Sequence, residues 1–239
     1  MYSFRTAHGP VDLAFTDRYG GVSASPFDEL NLAIEGEDSP EACAENLRVV
    51  LDDFAPGDRH ADLRQVHGDR VLVVGEHEGP GRPEADGLVT DQRGVVLVVR
   101  AADCVPVLLA DEAGAVVGAA HCGRPGLAAG VVTATVTRMR DLGAGDLTAW
   151  IGPHVCGGCY EVPAELRDEV AAAVPESRAT TTWGTPSLDL GAGVRAQLER
   201  AGVGVQDVSR CTRESADLYS YRRDGAGAGR LAGLVRIRP

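Results

Sequence analysis

The stretch "VVRAADCVPVLLADEAGAVVGAAHCG" (residues 98–123) decides the fold. Two apolar runs, 105–111 and 115–121, flank "DEAG" (111–114), whose composition marks a tight turn. Runs of Val, Leu and Ala without polar alternation read as strands buried on both faces. Each run carries one metal-competent side chain, Cys104 ahead of the first and His121 at the end of the second. Antiparallel pairing about the turn matches residues whose numbers add to about 225, which sets Cys104 opposite His121. Cross-strand partners have Cβ atoms about 4.5–5.5 Å apart, the separation that two ligands of one ion need. Upstream, "LRQVHG" (63–68) adds His67 from a loop. A His₂Cys set with its fourth position open is a catalytic zinc arrangement, since structural sites normally use four protein ligands. The plainer alternative is a small buried Cys and hydrogen-bonded histidines. Pattern alone leaves both readings open.

Working outward, "VDLAFT" (11–16) alternates as a strand, and "RYGGVSASPFDELNLA" (18–33) reads as a long loop. Ser39-Pro40-Glu41 starts a helix: a cap, a preset φ and an acid at the positive dipole end. That helix should run to about Asp53, with Leu47, Val50 and Leu51 inward. Further strands are expected at 70–76, 86–90, 94–102, 147–152, 205–209 and 231–237, and helices at 126–141, 163–174 and 190–201. The order does not alternate as βαβ units would. The expectation is an α+β (mixed α/β) single domain over 1–239, a buried mixed sheet flanked by helices. No G-x-G-x-x-G or G-x-S-x-G is present, which argues against dinucleotide-binding and α/β-hydrolase readings.

Composition excludes more. The net charge of −12 disfavours nucleic acid and anionic membrane partners. No signal peptide or membrane-spanning run is visible, so a cytoplasmic globular protein is expected. All 23 basic residues are arginine. Without lysine there is no Schiff base, no Walker lysine and no kinase-type Lys–Glu pair, so any bound phosphate must be held by Arg, backbone N–H groups or a metal. Six cysteines with no export signal imply reduced thiols. "VCGGCY" contains a lone C-x-x-C, Cys156 and Cys159, which fits neither a four-cysteine zinc ribbon nor a thioredoxin motif at a helix start.

The motifs "RYGGVSASPFDELNLA", "ENLR", "RQVHGDRV", "EADGLVT", "ADCVPVLLAD", "AAHCG", "LAAGVV", "WIGP", "CYEV", "LDL" and "SYRRDG" span essentially the whole chain. In this order they resemble the YfiH-type family, variously called multicopper polyphenol oxidase or laccase-domain protein, peptidoglycan editing factor and purine nucleoside phosphorylase. The resemblance implies a YfiH-like domain and places metal ligands on His67, Cys104 and His121, with Zn2+ the expected ion and copper able to use the same site. This chain departs from the family pattern in places. The usual "HAGWRG" is "HCGRPG" here, so Arg124, one position from the usual arginine, is expected to substitute for it in holding phosphate or substrate. The usual "CCYEV" is "GCYEV", and Glu214 replaces the common second Cys after "CT".

The chemistry implied is phosphorolysis of adenosine, inosine or 5′-methylthioadenosine, with adenosine deamination beside it. A catalytic zinc lowers the pKa of bound water, which suits deamination. Arg48, Arg222 and Arg223 are expected as anion or ribose clamps, and Gln65 and Asn31 at ribose or base edges; surface and turn roles are their alternatives. Among carboxylates, Asp86 and Glu161 are candidate bases, whereas Asp103 should face away from Cys104. Two other enzymatic readings compete: a cytosolic amidohydrolase editing peptidoglycan precursors, and copper-dependent phenol oxidation. A laccase cluster needs far more histidine than the six present. A structural zinc in a partner-binding module would need a fourth ligand, for which Cys159 is the better candidate and Cys122 a poor one. A monomer and a homodimer are both compatible with the sequence.

Overall fold

The computed structural model describes residues 1–75 and 81–239; residue 76, the last of the strand expected at 70–76, lies outside the described residues. In chain order the first elements are β1 (Tyr2–His8), β2 (Val11–Thr16), α1 (Pro40–Phe54), β3 (Arg59–Ala61), β4 (Val71–Val73), β5 (Gly87–Thr90), β6 (Val95–Ala101), β7 (Val105–Asp111) and β8 (Val117–Cys122). They are followed by α2 (Arg124–Ala129), α3 (Val131–Asp141), β9 (Leu147–Ile151), α4 (Ala164–Ala173), β10 (Arg178–Thr180), β11 (Pro186–Leu188), α5 (Leu190–Arg200), β12 (Gly204–Asp207), α6 (Tyr221–Asp224) and β13 (Leu231–Ile237). Ser39 caps α1 by accepting from the Ala42 N–H, and Asp189 caps α5 by accepting from the Ala192 N–H. The helix expected at 126–141 is split. Gly130, at φ 88°, takes the left-handed conformation that ends α2 and starts α3.

The mixed α/β architecture with helices outside is as expected, but the strands divide between two large sheets. One has the order β1-β2-β13-β6-β3, the other β12-β9-β7-β8-β5-β4, and β10 and β11 form a separate ribbon. Their inner faces pack together through Leu13, Phe15, Leu97 and Val235 on one side and Leu88, Leu108, Ala119 and Trp150 on the other. The outer face of the first sheet meets Val50 and Phe54 of α1. On the outer face of the second, Val107, Leu109 and Cys122 meet Leu127, Val132, Val136, Val170 and Val194 from the helices. The result is a helix–sheet–sheet–helix stack. It explains the missing polar alternation: Leu108 faces the other sheet while Val107 and Leu109 face helices, and all are fully buried. Truncating Leu108 to Ala at such a position costs about 2–5 kcal/mol.

The hairpin at the centre forms with a corrected register. Val105 pairs with Cys122 and Pro106 with His121, two positions from the pairing expected. Cys104 therefore sits in a bend just before β7. A slip of two preserves the face of every side chain, so Cys104 and His121 still share the side that looks between the sheets. Among the described residues no helix is long and apolar enough to cross a membrane.

Candidate active site

His67, Cys104 and His121 converge at one end of the space between the sheets, with a donor atom of each within 4.8 Å of the others. Cys104 Sγ lies 3.8 Å from His67 Nε2, and the two imidazole rings meet edge to face with centroids 4.8 Å apart. His121 is buried, Cys104 half-buried and His67 exposed, so the cluster is open on one side.

Asp86, fully buried just ahead of β5, organises this group. Its carboxylate accepts the backbone N–H groups of Val66 (3.2 Å), His67 (2.9 Å) and Gly68 (2.7 Å), and Oδ1 lies 2.8 Å from His121 Nδ1. Three consecutive donors fold the loop around the carboxylate and hold His67 at φ 62°, a conformation uncommon for a residue with a Cβ. Holding Nδ1–H of His121 leaves Nε2 to face Cys104 and the opening, the usual way an outer carboxylate fixes a metal-binding imidazole. Burial alone would raise the Asp86 pKa, but the His121 and Gly68 hydrogen bonds outweigh it and lower it. With its lone pairs so engaged, Asp86 is a structural carboxylate and not a general base.

Burial would likewise lift the Cys104 thiol, yet His121 and His67 bring it down to about 6. His121 moves the other way: burial disfavours its charge, while the Cys104 sulfur and Asp86 raise it to about 9. Soft thiolate and imidazole donors on one open face, with the second imidazole nitrogen tied back, suit a divalent zinc or copper ion. Gly123 makes the approach possible, because a Cβ there would stand 2.5 Å from His67 Cδ2 and 3.2 Å from Cys104 Sγ.

The cluster lines a cleft of about 660 Å³, within the range that small-molecule sites occupy. Gln65 and Arg222 line it as well. Gln65, however, spends its amide on the backbone of Arg100, donating to its C=O at 2.7 Å and accepting its N–H at 2.8 Å. Arg222 lies 4.4 Å from the Tyr160 ring centroid and donates to the Glu161 C=O at 2.9 Å.

Four expectations are corrected. Arg48 lies on the outer surface of α1, 59% exposed and paired with Glu45 and Asp52 at helical spacing, away from the cleft. Arg223 clasps its own loop by donating to the carbonyls of Thr212, Ser215 and Leu218. Asn31 is buried and fully used, donating to Asp38 and accepting from Ala33 and Arg230 N–H groups. Arg124 begins α2, half-buried, and is not among the residues lining the cleft.

Glu161 accepts from Trp183 Nε1 at 2.7 Å and does not line the cleft. Cys122 faces the helix-side core, as strand alternation requires. Cys159, expected nearby as a fourth ligand, belongs instead to a separate group with Cys156, Cys211 and Glu214.

Sequence reasoning missed the residues that give the cleft its charge: Arg64, Arg100 and Arg230 line it beside Tyr160 and Tyr221. Arg100 is 6% exposed; it pairs with Asp62 at 2.8 Å and donates through Nε to the Leu32 carbonyl, while Nη1 has no hydrogen-bond partner. The signal was an arginine inside an otherwise apolar strand. Asp103, at φ 86°, accepts the hydroxyls of Thr212 (2.6 Å) and Ser220 (2.7 Å) and the backbone N–H of Arg222 (2.6 Å). It thereby fastens the far wall of the cleft to the residue next to Cys104.

Residues 12–238 match a family model described as multi-copper polyphenol oxidoreductase laccase. A Streptomyces coelicolor relative named "Purine nucleoside phosphorylase SCO2081" is 53% identical, covering 98% of this chain and 99% of its own length. One from Streptomyces griseus, "Purine nucleoside phosphorylase ORF3", is 50% identical over 95% of this chain and 94% of its own. Among solved structures, Neisseria meningitidis protein NMB0706 superposes with a TM-score of 0.87 at 35% identity, covering 98% of this chain and 96% of that one. YlmD from Geobacillus stearothermophilus gives a TM-score of 0.87 at 29% identity, covering 97% and 93%. With its fold and nearly its full length in common with these proteins, the chain belongs to the multi-copper polyphenol oxidoreductase laccase family, the YfiH-type family its motifs resemble.

Proposed function

We propose that this protein is a metal-dependent purine nucleoside phosphorylase that also deaminates adenosine. The observation that carries the reading is the floor and walls of one cleft: His67, Cys104 and His121 beside Arg64, Arg100, Arg222 and Arg230. The names of the Streptomyces relatives point the same way.

His67, Cys104 and His121 would hold the ion, zinc in this reading, with donors that would accept copper as well. When bound, it supplies Lewis-acid stabilisation of negative charge on an oxygen at the reacting centre. The remaining tasks fall to side chains. Asp86 keeps the proton on His121 Nδ1, so the ring presents Nε2 to the cleft. Arginines neutralise and orient phosphate, for which no lysine is available. The cleft-lining Arg222 is the donor proposed for that anion. Tyr160 and Tyr221 offer flat faces for a purine. Six cysteines, none in a disulfide, suit a cytoplasmic enzyme.

The test is to incubate zinc-loaded protein with adenosine and phosphate and separate the products. Adenine with ribose-1-phosphate supports phosphorolysis, and inosine supports deamination. Failure to convert any purine nucleoside, together with amino-acid release from muropeptide precursors, would overturn the reading in favour of cell-wall editing.

A further inference from the structure

The loop 156–159 lies outside the His67 cluster, and it does not stand alone. The backbone of His154 bridges that of Cys211, with the His154 N–H donating to the Arg210 carbonyl at 3.2 Å and the Thr212 N–H to the His154 carbonyl at 3.0 Å. This pairing lays two short turns side by side. In one, Cys159 and Tyr160 N–H groups return to the Cys156 carbonyl; in the other, the Ser215 N–H returns to the Cys211 carbonyl. Each turn carries two metal-competent side chains at the same spacing, Cys-x-x-Cys at 156 and 159 and Cys-x-x-Glu at 211 and 214. All four donor atoms lie within 4.8 Å of one another.

We propose that Cys156, Cys159, Cys211 and Glu214 form a second metal site, a structural zinc staple independent of the active-site ion. A tetrahedral zinc with bonds of about 2.3 Å to sulfur and 2.0 Å to oxygen needs donors roughly 3.5–3.8 Å apart. Cys159 Sγ stands 3.3 Å from Glu214 Oε1, and the Cys156 N–H donates to Cys211 Sγ at 3.5 Å. Backbone N–H donation to sulfur offsets charge on a thiolate ligand. Four protein donors close the coordination shell, as a structural site requires and the three-donor active site does not. Loading converts three thiols to thiolates and releases three protons, leaving a dianionic complex beside the Arg213 guanidinium, which hydrogen-bonds Cys159. The staple would join the segment bearing Tyr160 to the one leading to Tyr221 and Arg222, so it braces two parts of the cleft wall. Zinc is favoured over calcium or magnesium because sulfur dominates the donor set.

The experiment is metal counting on the full chain, stripped with chelator under reducing conditions and reloaded with zinc. Wild type should hold two ions per chain, Cys156→Ser/Cys211→Ser one, and Cys104→Ala/His121→Ala one. In the last variant, cobalt should give the intense charge-transfer absorption of a thiolate-rich site. Glu214→Cys keeps four donors and should release zinc to a chelator more slowly than wild type. Three results would overturn the proposal: no metal in Cys104→Ala/His121→Ala, release from Glu214→Cys no slower than from wild type, or a cysteine-cluster disulfide in the mass spectrum of freshly purified protein. None of these readouts uses turnover, so they stand apart from the test of the nucleoside reaction.

Discussion

Asp86 Oδ1 lies 2.8 Å from His121 Nδ1, and the same carboxylate accepts three consecutive backbone N–H groups from the loop that carries His67. One buried side chain therefore sets the orientation of two candidate ligands. Asp86→Asn puts a donor where an acceptor is needed. Zinc affinity should fall about 10–100-fold, the usual effect of losing an outer partner of a metal-bound histidine. Chelator competition measures it, and an unchanged affinity would deny Asp86 this role.

The lowered Cys104 pKa predicts the reactivity of the metal-free protein. Burial opposes ionisation, but His121 and His67 dominate and bring the thiol to about 6, below the ordinary cysteine value near 8.5. Alkylation at Cys104, followed by peptide mass mapping, should reach half its maximal rate near pH 6 and be suppressed by zinc. A midpoint in the ordinary thiol range would contradict the ion-pair geometry.

Gly123 has φ −80°, so alanine costs little in backbone strain there. Its methyl group nevertheless falls 2.5 Å from His67 Cδ2. Gly123→Ala should displace the His67 ring and weaken zinc binding by about tenfold or more, with a far smaller change in unfolding midpoint. Isothermal titration with zinc and thermal unfolding together separate the two effects.

Arg100 and Asp62 form a buried pair, with side chains 6% and 7% exposed. Asp62→Ala strands the guanidinium and should destabilise the protein by about 3–5 kcal/mol. The pH dependence follows from the direction of the Asp62 shift. Burial raises its pKa, but Arg100 and Arg82 outweigh this and hold it below 3.8. Its contribution is complete above the unfolded value and is lost as pH falls through the folded one. Urea unfolding as a function of pH should show a shallower acid limb in Asp62→Ala.

The arginines divide by position. Arg222→Gln should raise the KM for phosphate about tenfold, by removing a charged donor from the cleft wall. Arg48→Ala should leave kcat/KM within about twofold and stability within about 0.5 kcal/mol, because its ion pairs are exposed. Steady-state kinetics of both variants against varied phosphate tests the division.

What could be read in advance follows physical locality. The strands around 98–123 were legible because burial on both faces writes itself as an unbroken apolar run, and α1 because Ser39 and Pro40 mark its start. The partition into two sheets was not, since Leu108 and Val107 look alike in sequence but face different layers. β1 escaped notice as an edge strand of half-buried and exposed residues. Arg48 carried local evidence of its surface role, with Glu45 and Asp52 at helical spacing, whereas the clasp made by Arg223 depends on loop closure that no short pattern encodes. The C-x-x-C at 156 hid its counterpart for the same reason: 211 and 214 reach it only through the backbone bridge at His154.

The grip of Asp103 on Thr212, Ser220 and the Arg222 N–H has an engineering corollary. These three anchor points fix where the C-terminal rim begins and ends, whatever lies between them. The Tyr221 side chain, which lines the cleft between two of these anchors, can therefore be randomised as a library for altered ligand selectivity, leaving the His67 cluster in register.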